Sequence, residues 1–171
     1  MVNLRQAFRQ VSPEKAGTPY RLVVYVTGGP EDRRLLEIVE KIGQHQNTFI
    51  TIAYVVEVQQ SMPLDAELPA EIERGESVLH DAETYATRCV GGRRDHINTE
   101  LLQARSSGAA IVDEAIESEA NAIMLSCSIR KKHGRPTIGE AVEYVLRNAP
   151  CEVIVIRQGM ASWPAAELGM Q

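Results

Sequence analysis

Long apolar runs are missing from this chain of 171 residues. No stretch reaches the roughly 18 consecutive apolar residues of a membrane span. The opening segment, MVNLRQAFRQVSPEKAG, also lacks the continuous apolar centre of a secretory signal, so a soluble, cytoplasmic protein is expected. Cysteine is scarce: Cys89, Cys127 and Cys151 are odd in number, far apart and outside any CxxC or Cys/His ligand pattern. That excludes a disulfide scaffold and a zinc site as expectations. His45, His80 and His96 stand in separate segments and read as surface or internally bonded histidines. No G-x-S-x-G elbow occurs, and no set of side chains reads as a catalytic constellation, so no enzyme activity and no cofactor are expected. A net charge of -5 argues against nucleic acid as the main partner.

What the chain does have is alternation of short apolar runs with helical periodicity. RLVVYV, Arg21 to Val26, reads as a buried strand stopped by Thr27, Gly28, Gly29 and Pro30. Acidic residues and then Leu35, Ile38, Val39 and Ile42 follow at helical spacing, with Gly43 as the expected stop. FITIAYVV, Phe49 to Val56, is the second strand, and a helix-linked pair of strands lies parallel. The polar stretch QQSMPLDAELPAE is the expected least ordered part of the middle, before a long helix from about Glu67 to Arg93. Strands Ile97 to Ala104, Asn121 to Leu125 and Cys151 to Ile156 complete the set, separated by helices after Ser106 and over AVEYVLRN. The predicted fold is a single α/β domain, an open five-stranded, mostly parallel, doubly wound sheet with helices on both faces. Ligands of such sheets bind at the carboxyl ends of strands, where the winding reverses.

SCSIRKKHGRPTIGE, Ser126 to Glu140, occupies such an end. Arg130, Lys131, Lys132, His133 and Arg135 gather cations there, with no aromatic residue interleaved for base stacking. Thr137-Ile138-Gly139-Glu140 fits a T-x-x-E capping box, which predicts Thr137 as the helix cap. Cys127 sits beside this segment without a second cysteine or an activating neighbour.

Over Tyr20 to Arg157 the chain resembles the universal stress protein family. The resemblance is carried by RLVVYVTGG, AYVVE and above all IGEAVEYVLRNAPCEVIVIR, where Val145, Leu146, Ala149, Pro150 and Cys151 match a V-L-x-x-A-P-C ending. It implies an adenine nucleotide α-hydrolase-like, Rossmann-like domain over 20–157, with an extension at 1–19 and a tail at 158–171. ATP-binding members carry G-x-x-G, nine residues, then G followed by Ser or Thr. Here those positions are Ser126, Ile129, Gly139 and Glu140, and the usual aspartate after the first strand is Thr27. A carboxylate about 4 Å from a phosphate costs on the order of 4 kcal/mol at an effective dielectric near 20, so ATP and AMP are disfavoured.

The candidate positions for a nucleotide or anion, from the resemblance, the turn after the first strand and the basic loop together, are Thr27, Gly28, Gly29, Val55, Ser126, Ser128, Arg130, Lys131, Gly139 and Glu140. The resemblance also implies a homodimer paired through Val153, Ile154, Val155 and Ile156. The expected function is a non-enzymatic stress-response or regulatory module that acts through dimerisation and an unidentified protein partner. The alternatives are an adenine-nucleotide sensor using the basic loop 130–135 and a regulatory domain of a transporter or other assembly.

Overall fold

The computed structural model describes residues 19–45, 47–89, 96–132 and 135–157. The expected N-terminal extension, apart from Pro19, and the expected tail lie outside them, as does His133. The main sheet is built from β1 (Tyr20–Tyr25), β2 (Thr48–Glu57), β3 (Ile97–Ala104), β4 (Ala122–Cys127) and β7 (Glu152–Arg157). Their order is β3-β2-β1-β4-β7, and every pairing is parallel. The expected "mostly parallel" sheet is thus parallel throughout.

The helices are α1 (Glu31–His45), α2 (Pro69–Cys89), α3 (Ser107–Glu117) and α4 (Glu140–Asn148). Period-2 alternation divides the strand side chains between two cores. Leu22, Val24, Ile50, Ile52 and Met124 meet Leu35 and Val39 of α1 and Leu79 and Ala82 of α2. On the opposite face Val23, Ala53, Ile123 and Leu125 meet Ile111 and Ala115 of α3 and Val142 and Val145 of α4. Winding reverses between β1 and β4, so the cleft at their carboxyl ends is the fold's switch point.

Four expectations change. The basic segment is not a simple loop: Arg130–Lys132 (β5) and Arg135–Thr137 (β6) pair antiparallel as a ribbon, with Arg130 opposite Thr137. Because Thr137 is held in that ribbon, it does not cap α4. The cap is Gly139, at φ 95°, with no side-chain cap bond, while the Thr137 hydroxyl accepts the Gly139 N–H at 3.3 Å. Gly43 does not stop α1, because its backbone is buried within the last turns and packing outweighs its weak helix preference. The segment after β2 is fastened rather than loose. Gln103 donates to the Leu64 and Ala66 carbonyls, each at 2.8 Å, and Arg105 donates to the carbonyls of Val58, Gln59 and Met62.

Candidate functional site

At the switch point, β1 runs into Thr27 and Gly28, and the chain turns through a positive φ of 75° at Gly28 before α1 begins. Tight turns of this kind leave backbone N–H groups pointing at one spot, which is how an anion is commonly held. Here the spot is taken by the chain itself. Asp32 Oδ2 accepts the N–H of Gly28 at 2.7 Å and of Thr27 at 2.8 Å, and Oδ1 lies 3.4 Å from the Thr27 hydroxyl. Asp32 keeps only 7% of its surface exposed. Burial pushes its carboxyl above the ordinary range, and the amide bonds from Thr27 and Gly28 pull it only part of the way back.

Beside this turn lies a cavity of about 230 Å³, bounded by the exit of β1, the exit of β4 and the starts of α1 and α4. It brings together Thr27, Ser126, Ser128, Gly139 and Glu140 of the sequence-marked set, and adds Tyr25 and Glu31. Glu31 and Glu140 are the first residues of α1 and α4, where the positive helix ends favour negative charge. Each helix start therefore carries a carboxylate of its own on the cavity. The start of α3 follows the same rule, since Glu57 accepts the Ser107 N–H at 2.9 Å. Burial also raises the Tyr25 phenol, with Glu57 and Asp32 adding to the rise and a side-chain hydrogen bond from Ser107 opposing it.

The remaining marked positions fall elsewhere. Gly28 and Gly29 face a second groove, between α1 and α2. Val55 is buried in the core on the α3 and α4 side and does not line the cavity. Arg130 and Lys131 lie on β5, and their side chains are outside what the structure describes. His96 stacks on Phe49 with ring centroids 4.3 Å apart and Nδ1 3.2 Å from the Thr48 carbonyl, an internally bonded ring as expected. His80 is exposed on α2, and the His45 side chain is outside the described set. Among the described residues no group of three His, Cys, Asp or Glu is placed to hold a metal, and no helix is long and apolar enough to cross a membrane.

A family model described as the universal stress protein family matches residues 19–157. The chain belongs to that family. Comparison with curated protein sequences gives no match. Among solved structures, the universal stress protein UspA from Lactobacillus plantarum is 21% identical, with 81% of this chain and 97% of that chain covered and a TM-score of 0.64. A universal stress protein from Archaeoglobus fulgidus in complex with dAMP is 20% identical, covering 80% of this chain and 97% of that one at a TM-score of 0.62. A universal stress protein in complex with cAMP is 18% identical, with coverage of 82% and 98% and a TM-score of 0.58. At these identities the likeness is one of fold, and this universal stress protein's site has to be judged by its own residues. The cavity, at about 230 Å³, is smaller than the roughly 300 to 1,000 Å³ of ordinary ligand pockets, and the first residues of α1 and α4, Glu31 and Glu140, line it.

Two residues that shape the site, Glu31 and Asp32, registered in the sequence only as an acidic helix start. The signal was T-G-G-P-E-D, a turn followed within a few residues by carboxylates able to fold back on its amides.

Proposed function

We propose that this universal stress protein is a non-enzymatic regulatory module whose nucleotide cleft has been converted to a self-capped one, and which works by pairing with itself and with a protein partner. The observation that carries this reading is the placement of Glu31 and Glu140, both helix-start carboxylates, on one cavity at the switch point. A triphosphate entering there would meet like charge from both carboxylates.

Dimerisation rests on β7. It pairs with β4 on one side and ends the sheet on the other, and Val153, Ile154, Val155 and Ile156 are only half-buried. An apolar edge strand of this kind is a template for a second strand. The solution mass by light scattering is expected at twice 18.9 kDa, and Val153→Lys on β7 is expected to lower it to the single-chain value. A single-chain mass for the unaltered protein would remove the pairing.

A second reading, an adenine-nucleotide sensor, is favoured by the solved relatives in complex with dAMP and cAMP. Mass spectrometry of the protein as purified separates the two. Co-purifying adenine nucleotide supports the sensor, and a nucleotide-free protein supports the self-capped cleft.

A further inference from the structure

The end of the sheet opposite the switch point is left partly uncovered. α3 has 11 residues and runs about 16 Å from the carboxyl end of the sheet, whereas β2, with 10 residues, spans about 33 Å. Beyond Ser118, the C-terminal cap of α3, the amino halves of β1, β2 and β3 bound a groove of about 300 Å³ on that face. Its lining includes Val23, Phe49, Thr51, His96 and Asn98, together with Pro19, the first described residue of the chain. We propose that this groove is the docking surface for the chain's own residues 1–18, which place Leu4, Phe8 and Val11 against it.

Phe49 is a large apolar side chain in the lining, yet it keeps 39% of its surface exposed, with the His96 ring stacked on it at 4.3 Å. An apolar ring left open on a sheet face is covered most readily by a segment tethered beside it, since a short tether holds that segment at about millimolar concentration. Residues 1–18 lead directly into Pro19 at the groove. Seven residues separate Val11 from Pro19, a reach of up to about 24 Å, which is enough to bring the earlier residues back across it. Leu4, Phe8 and Val11 recur at intervals of four and three, so they can meet one surface together. Charge agrees with this occupant. Arg5 and Arg9 flank Phe8, and the groove's neighbours are acidic: Glu100 accepts from Asn98 Nδ2 at 2.8 Å, and Glu119, paired with Arg21 at 3.0 Å, keeps 82% of its side chain exposed. Burial, and then Glu100 and Glu117, raise the Glu114 carboxyl, so negative charge accumulates on this side of the molecule.

Methyl and amide NMR of the full chain tests this. Nuclear Overhauser contacts are expected between the Phe8 ring and the methyl groups of Val23 and Thr51. Phe8→Asp is expected to remove them and to shift the amides of Val23, Thr51, Asn98 and Ser118, while Gly28 and Gly29 stay in place and report an intact fold. Phe8→Leu is expected to keep the groove amides close to their original positions. A mixture of labelled and unlabelled chains separates contacts within one chain from contacts between two. No contact from residues 1–18 to the groove overturns the proposal, as do Phe8→Asp shifts confined to the residues around position 8. Contacts made solely between chains overturn it too, and make a second copy the occupant.

Discussion

The carboxylate of Asp32 lies 2.7 Å from the backbone nitrogen of Gly28, four residues earlier, so the first turn of α1 reaches back and closes the amide cup that β1 opens. This contact links the sheet, the turn and both cavities. Removing the carboxylate leaves two N–H groups in a part-buried turn without their acceptor. Asp32→Ala is expected to cost about 2 to 4 kcal/mol in urea unfolding, and Asp32→Asn, which keeps one acceptor oxygen, clearly less.

The same residue sets a pH dependence. The Asp32 carboxyl is raised above its ordinary value of 3.8 in the folded chain, chiefly by burial. The folded state thus holds the proton more tightly than the unfolded one, and the associated stability is full below the unfolded value and lost as pH rises through the folded value. Burial and the neighbours Glu100 and Glu117 raise Glu114 too, with the same sign. Urea midpoints measured upward from about pH 4 are expected to fall less steeply for Asp32→Asn than for the unaltered chain. Parallel curves would remove Asp32 as a source of the slope.

Two glycines separate backbone strain from packing. Gly139 is at φ 95° with nothing within 4 Å of an added Cβ, whereas at Gly28, φ 75°, that Cβ would meet Val78 Cγ2 at 2.8 Å. Gly139→Ala is expected to cost about 1 to 3 kcal/mol for its conformation alone. Gly28→Ala is expected to cost more by thermal unfolding, because the Val78 side chain must also give way.

How much of this was legible in the sequence follows from the range of each signal. β3 was placed residue for residue, and the other main-sheet strands to within one or two, because β-branched runs and turn residues act locally. The capping box failed because Thr137 answers to a cross-strand partner, Arg130, and not only to the three residues after it. The pinned segment after β2 was hidden because Gln103 and Arg105, which hold it, lie some 40 residues away. The glycine substitutions in the cleft were visible directly. The placement of the carboxylates was visible only once Asp32 folded back and Glu31 and Glu140 met on one cavity.

Arg105 offers a test of the pinned segment. Its guanidinium satisfies the carbonyls of Val58, Gln59 and Met62, so Arg105→Ala is expected to cost about 1 to 3 kcal/mol. Faster limited proteolysis between residues 58 and 68 should accompany the loss, with the β1–α1 turn unaffected.

The central claim is that the chain's own carboxylates close its nucleotide cleft, and calorimetric titration with ATP tests it most directly. The unaltered protein is expected to give no saturable heat at about 1 mM ATP, and the double variant Glu31→Gln, Glu140→Ser is expected to gain at least about tenfold in affinity. Micromolar ATP binding by the unaltered protein, or no gain in the folded double variant, would contradict it.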